Sequence, residues 1–243
     1  MNCLVTAGPT YEPLDRVRRL TNFSTGRLGA ELAEFLTAQG HCVTLFIGEQ
    51  ATWRGPRLAA EVVLFSTTGD LEAKLRARAV VAQASLPVRS SLNRNAPAEL
   101  PVPLRPASAR AAVAAVFHAA AVSDFQFGRT FQRGGGGALE EIKAGKLSTR
   151  TGSLLAELVP TPKLLPQMRD WFPTARITGW KYEVDGDRFA ALARAGEQLA
   201  AARTDACVVN GPAYGPGFGL LTAAGCQHLA ARAELFAALA ALG

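Results

Sequence analysis

The chain has 243 residues, 49% of them hydrophobic and 19% charged, and its 26 Lys and Arg against 20 Asp and Glu leave a net charge of +6. This is ordinary globular composition, long enough for one large α/β domain with a sizeable core. The basic excess is spread without the dense block of a nucleic-acid tail, and no apolar run reaches membrane-spanning length, so the expectation is no nucleic acid and no membrane as partner.

Cys3–Thr6 reads as a short apolar strand that runs into Ala7-Gly8-Pro9-Thr10. Helical spacing follows at Leu28, Leu32, Phe35 and Leu36 and stops at Gly40. His41–Ile47 alternates as a second strand, Glu61–Phe65 reads as a third, and a helix from Asp70 carries Leu71 and Leu75. This rhythm predicts a mostly parallel sheet with helices on both faces. Residues 84–108 break it with Pro87, Pro97, Pro101, Pro103 and Pro106, and read as a mobile surface insertion. A helix or strand over Ala111–Phe117 leads into His118–Asp124. The stretch from Phe125 to Arg150 reads as a loop, because Gly134–Gly137 is too glycine-rich to hold one conformation by itself. A helix near Pro162–Trp171, a strand Arg176–Trp180, a helix Arg188–Ala202, a strand Ala206–Val209 and a helix from Ala231 complete a single domain over 1–243.

The four cysteines, Cys3, Cys42, Cys207 and Cys226, form no C-x-x-C pair and read as buried thiols in a reducing, cytoplasmic compartment. The chain opens directly into a strand, with no basic and apolar leader before it.

In an open parallel sheet, ligands bind outside the carboxyl ends of the strands. Four segments fall there: Ala7–Thr10, Ala119–Asp124, Gly179–Glu183 and Asn210–Gly219. A tight turn explains any one of them, whereas four together point to a nucleotide site. Asp124 is placed to accept from a ribose hydroxyl or a base amine. Thr21-Asn22-Phe23-Ser24-Thr25-Gly26-Arg27-Leu28-Gly29 precedes the first helix, whose free N–H groups suit phosphate or an oxyanion. Ser24 and Thr25 are equally natural N-caps, but Asn22 lies too far out to be one. The chain lacks G-x-G-x-x-G, the P-loop pattern and G-x-S-x-G, and its three histidines have no metal or triad spacing.

At this point the motifs carry a likeness. Val5–Asp15, then Val17-Arg18 and Asn22–Gly29, resemble the opening of phosphopantothenate–cysteine ligases. Ala119-Ala120-Ala121-Val122-Ser123-Asp124-Phe125 resembles their second signature. Val159–Leu165, Gly179–Glu183 and Val208–Asn210 with Gly217–Gly219 recur in the same order. The resemblance implies a Rossmann-like, three-layer α/β fold with a mostly parallel sheet, usually dimeric. It also implies the ligase alone, without the flavin-dependent decarboxylase half found in fused bacterial proteins, and so no flavin. The implied activity is formation of phosphopantothenoylcysteine in coenzyme A synthesis, with phosphopantothenate, cysteine and a nucleoside triphosphate as substrates and Mg²⁺ assisting. A carboxylate attacks the α-phosphate and expels pyrophosphate, then cysteine attacks the acyl nucleotidylate and releases the monophosphate.

Position by position, the resemblance puts Asn22 at the acyl nucleotidylate. It makes Ala119, Ala120, Asp124, Pro162, Lys163, Leu164, Leu165, Trp180 (usually Phe) and Arg194 nucleotide contacts. Asn210, Gly26 and Arg27 fall on the substrate side. The family's flap lysine is replaced by Glu141, so Lys143, or else Lys146, is expected to take its role in a flap over 125–150. Gln198 stands where the bacterial form has a lysine, which with the eukaryote-like motifs favours ATP over CTP. A nicotinamide-dependent Rossmann oxidoreductase and a non-catalytic nucleotide-binding homologue are the alternatives.

Overall fold

The computed structural model describes residues 1–84, 112–134, 136–143, 145–148 and 153–242. The strands are β1 (Asn2–Ala7), β2 (Tyr11–Pro13), β3 (Arg19–Thr21), β4 (Cys42–Gly48), β5 (Glu61–Phe65), β6 (Ala115–His118), β7 (Phe125–Arg133), β8 (Leu139–Glu141), β9 (Leu154–Pro160), β10 (Arg176–Tyr182), β11 (Ala206–Asn210), β12 (Phe218–Thr222) and β13 (Gly225–Leu229). The helices are α1 (Arg27–Ala38), α2 (Thr68–Ala84), α3 (Leu165–Trp171), α4 (Arg188–Ala202) and α5 (Arg232–Leu242).

Eight strands form one sheet in the order β13-β12-β11-β10-β6-β1-β4-β5. All neighbours are parallel except β12 and β13, which add an antiparallel edge. The chain winds outward from β1 through β4 to β5, then returns to the other side of β1 as β6. The gap between β1 and β6 is therefore the topological switch point.

Spacing explains how the helices cover both faces. α1 buries Gly29, Ala30, Leu32, Ala33 and Leu36, one stripe of a 3.6-residue period, against Val5, Ala7, Val43 and Leu45. Each fully buried leucine of that stripe contributes about 1.5–3 kcal/mol. α5 joins the same face through Leu235, Phe236 and Leu239, while Leu71 and Leu75 of α2 and Met168 of α3 pack on Leu4, Phe46 and Ile177 of the other. α4 covers Cys207 and Val209 with Ala191 and Ala195. The result is the three-layer, mostly parallel α/β fold that the sequence predicts.

The structure departs from the sequence reading in several places. The stretch read as a loop from Phe125 to Arg150 contains β7 and β8, which with β9 form a separate antiparallel sheet in the order β8-β7-β9. Cross-strand pairing supplies the order that local glycine content removes. The hairpin β2–β3 and the antiparallel β12–β13 edge are further elements that local pattern does not predict. Cys3 and Cys207 are buried as expected, and burial pushes the Cys207 thiol up to about 12, but Cys226 lies exposed on the edge strand β13. The expected insertion at 84–108 falls outside the described residues beyond Ala84, the last residue of α2.

Candidate active site

Small residues bring three backbones together at the switch point. Gly8 and Gly26 both have positive φ, 77° and 76°, and an added Cβ would lie 3.0 and 2.9 Å from the Ala51 methyl. Gly29 admits no side chain either, since its Cβ would fall 2.6 Å from that of Ala7. The start of α1 is thus pressed against the end of β1. Gly26 itself is the helix N-cap, not Ser24 or Thr25, although the Thr25 hydroxyl accepts from the Arg27 N–H at 3.2 Å.

The loop after β6 continues the parallel ladder beyond the strands. Ala119 N–H donates to the Thr6 carbonyl, Ala121 N–H to Gly8, and Thr10 N–H back to Ala121. Side chains lock this extension. Thr6 Oγ1 accepts from Ala120 N–H at 3.2 Å and lies 2.8 Å from His118 Nδ1, and Thr10 Oγ1 accepts from Ser123 N–H at 2.8 Å. His118 is buried, and desolvation lowers its pKa to about 4, so it stands neutral under this loop. Sequence reasoning missed Thr6, Thr10 and His118, and the signal that marks them is a polar residue at the end of an apolar strand.

Asn22 joins this loop from the other side. Its Nδ2 donates to the carbonyls of Ala121 at 3.1 Å and Val122 at 3.2 Å. At the loop's far end Thr161 fixes the backbone of Ser123 and Asp124, and the exposed Asp124 carboxylate is paired with Lys163. Asn22, Ala119, Ala120, Asp124, Pro162 and Lys163 therefore gather within one hydrogen-bonded cluster. Leu164 does not present its side chain there. It is buried against α2 and β10 with Met168 and Ile177, which leaves only its backbone for a ligand.

A second group lies on β10, β11 and α4. Leu165 packs over Gly179, where a Cβ would fall 2.8 Å from its methyl. Trp180 is half-buried, and its carbonyl accepts from Gln198 Nε2 at 3.2 Å. Arg194 is held by Glu183 and by the Asp185 carbonyl, and Lys181 sits 3.3 Å from the same Glu183. Burial raises the Glu183 pKa, but hydrogen bonds from Arg194 and Lys181 outweigh it and hold the carboxyl below its usual range. Arg27 directs its guanidinium to Glu31 and over the Trp53 ring, 4.6 Å from the centroid.

Lys143 stands apart from both groups: its side chain is 86% exposed and 3.6 Å from Glu141, the residue in the lysine's expected place. The segment that follows is anchored, though. Leu147 N–H donates to Asp15 Oδ2 at 3.1 Å, Arg18 donates to the Leu147 carbonyl, and Arg16 N–H donates to Gly145. The Leu147 amide, with those of Val17 and Arg18, lowers the Asp15 pKa to about 2. Among the described residues no three His, Cys, Asp or Glu side chains cluster to hold a metal ion, nor is any helix long and apolar enough to cross a membrane.

Residues 1–88 match the family described as the DNA/pantothenate metabolism flavoprotein C-terminal domain. A phosphopantothenate–cysteine ligase of Homo sapiens is 30% identical over 213 residues, an alignment covering 75% of this chain and 63% of that protein. A coenzyme A biosynthesis bifunctional protein CoaBC of Thermococcus kodakarensis is 28% identical over 207 residues, covering 85% of this chain and 40% of the relative. The chain thus spans less than two thirds of these relatives' own length. Among solved structures, the DNA/pantothenate metabolism flavoprotein from Streptococcus pneumoniae superposes with a TM-score of 0.75 at 22% identity, covering 98% of this chain and 96% of that one. A Cab2 variant in complex with phosphopantothenate-cysteine superposes with a TM-score of 0.65 at 17% identity, over 99% of this chain and 85% of that one. The likeness first carried by short motifs is matched by alignments along most of the chain and by the fold.

Proposed function

We propose that this chain, alike in motif, alignment and fold to phosphopantothenate–cysteine ligases, is itself such a ligase. The observation that carries the reading is the junction at Asn22. Its amide ties the start of α1 to the Ala119–Asp124 loop, and Asp124 in turn pairs with Lys163. Three segments that resemble the family far apart in sequence thus form one rim over the switch point.

On this reading, phosphopantothenate and a nucleoside triphosphate meet at that rim. The pantothenate carboxylate attacks the α-phosphorus, pyrophosphate leaves, and the cysteine amine then attacks the acyl carbon and releases the nucleoside monophosphate. Charge builds on oxygen in both steps. The N–H groups of Leu28 and Gly29 at the start of α1 lie outside the helix ladder and suit anionic oxygen. The Asn22 amide has both protons on protein carbonyls, so releasing one to a developing oxyanion exchanges one hydrogen bond for another. Lys163 and the flap lysines Lys143 and Lys146 supply positive charge. Asp124 is the exposed acid at the rim, and Mg²⁺ would enter with the triphosphate, held largely by phosphates and water.

A homodimer is part of the same reading. Val17 and Leu20 on the β2–β3 hairpin, Phe23 just beyond it, and Phe125, Leu139 and Leu158 on the β8-β7-β9 sheet are exposed apolar residues, and β2 of the hairpin adjoins β7 of that sheet. Such a cluster suits a second copy.

The test is pyrophosphate release by purified protein with phosphopantothenate, cysteine and each of ATP, CTP, GTP and UTP in turn. Release that depends on both phosphopantothenate and a nucleotide, with ATP preferred, is the expected outcome. No release with any of the four would overturn the ligase reading, and a CTP preference would overturn the ATP assignment alone.

A further inference from the structure

The large sheet ends at β13, and this edge strand carries a thiol and an imidazole on one side. Cys226 stands opposite Leu221 of β12 and His228 opposite Gly219, so both side chains take the same face. Gln227 and Leu229 take the other face, where Leu229 shares the core cluster with Leu235 and Leu239 of α5. Cys226 and His228 are both exposed, so solvent reaches them at the sheet edge.

A third side chain meets them from the loop after β11. Tyr214 is 2% exposed, and its ring lies over Gly219, where an added Cβ would fall 2.9 Å from the hydroxyl oxygen. Gly217 leaves room for the imidazole in the same way, since a Cβ there would lie 2.8 Å from His228 Cε1. The two rings stack at 28° with centroids 5.9 Å apart, and Tyr214 Oη lies 3.0 Å from His228 Nδ1. The same hydroxyl reaches the Cys226 thiol. The Arg188 guanidinium lies 4.5 Å from the centroid of the phenol ring, and its Nε donates to the Tyr214 carbonyl at 2.8 Å.

A sulfur and a ring nitrogen thus flank one phenol oxygen, at a spacing close to that of a coordination shell. Donors held about 2.0–2.3 Å from a tetrahedral ion lie about 3.3–3.7 Å from one another, and Oη and Nδ1 are 3.0 Å apart. We propose that Cys226, His228 and Tyr214 form a binding site for a d-block cation of the zinc type, with water in the fourth position. Thiolate and imidazole select such an ion over magnesium or calcium, which take oxygen donors. On binding, the thiol and phenol protons leave to solvent, and sulfur, oxygen and Nδ1 each donate a lone pair to the ion. The Arg188 guanidinium offsets the charge left on the phenolate. Because the third donor is a tyrosine, no triplet of His, Cys, Asp or Glu marks the site among the described residues. The ion joins the edge strand to the loop after β11.

Titration of the full chain with Co²⁺ and then Zn²⁺ tests this, after chelator treatment and with the thiols kept reduced by a phosphine. One Co²⁺ per chain should bind with a sulfur-to-cobalt charge-transfer band and the intense visible bands of a four-coordinate ion, and Zn²⁺ should abolish both. Cys226→Ser should remove the charge-transfer band, while Cys42→Ser, a change at the half-buried thiol, should keep it. His228→Ala and Tyr214→Phe should each raise Kd about tenfold or more, at least the cost of losing a residue that only supports a ligand. Tyr214→Phe keeps the ring and removes Oη alone, and circular dichroism checks that each variant is folded. A missing charge-transfer band, a band that survives in Cys226→Ser, or a Kd unmoved in either His228→Ala or Tyr214→Phe overturns the site. The outcome is independent of the ligase reading, because neither substrate nor turnover enters the measurement.

Discussion

Asn22 holds the Ala119–Asp124 loop with two hydrogen bonds from an exposed amide. Exposed hydrogen bonds of this kind contribute about 1 kcal/mol or less to stability, whereas removing one oxyanion donor typically lowers kcat about a hundredfold or more. Asn22→Ala should therefore melt almost as the wild type does and yet lose nearly all turnover. A variant that turns over normally would remove Asn22 from the chemistry. The flap lysines divide on a finer point. Glu141 lies 3.6 Å from the Lys143 ammonium and offsets part of its charge, but an exposed ion pair is weak, worth about 0–1 kcal/mol, so an incoming triphosphate can draw the lysine away. Lys143→Ala is expected to slow pyrophosphate release about tenfold or more, the scale of a lost charge-assisted contact, and Lys146→Ala to slow it less. Equal rates for both variants and the wild type would mean that no flap lysine is required.

The decisive elements are the start of α1 and the loop beyond β6, because their backbones, more than their side chains, shape the rim. Gly29 is the tightest joint between α1 and β1: a Cβ added there would lie 2.6 Å from the Ala7 methyl and 3.2 Å from the Thr6 carbonyl. Neither neighbour is the end of a flexible side chain, so Gly29→Ala must push the helix start away from the strand. Overpacking of this kind typically costs about 1–3 kcal/mol. In a domain of this size each kcal/mol lowers Tm by about 2–4 °C. Thermal unfolding should show that drop, and the shift of α1 should raise KM for phosphopantothenate. A Gly29→Ala protein with unchanged Tm would mean that the helix start is not pressed against β1.

For the whole molecule, the buried His118 links stability to pH. Its folded pKa is lowered to about 4 from 6.5 because burial disfavours the charged ring. The unfolded chain therefore binds a proton that the folded one refuses. This contribution to stability is fully present above pH 6.5 and is lost as the pH falls from there towards 4. Denaturant unfolding at a series of pH values should show stability declining over that window, and His118→Gln should flatten the decline. Because His118 meets Thr6 Oγ1, which also receives the Ala120 N–H, and stays neutral in the folded protein until the pH nears 4, the folded enzyme's activity should lose this loop support only as the pH approaches 4. A wild-type stability curve that is level between pH 6.5 and 4 would remove this linkage.

The alternating strand–helix pattern, the parallel core and the motif segments at the strand ends were all legible in the sequence, because each follows from local period and composition. α4 begins at Arg188 and ends at Ala202 as its spacing predicts, and its Asp187 cap accepts from the Ala190 N–H. The β8-β7-β9 sheet was not legible, since β7 and β9 are not consecutive, with β8 between them in the chain, and gain their order from long-range pairing with each other. Nor could the sequence bring Asn22 to Ala121, 99 residues away, or join Asp15 to Leu147 across 132. The same holds for Cys226, Tyr214 and His228, which meet only through the register of two antiparallel strands and the loop before them. Local pattern determines which elements form. Which polar atoms find partners is decided by tertiary packing, and at the β13 edge that packing brings a thiol, a phenol and an imidazole together.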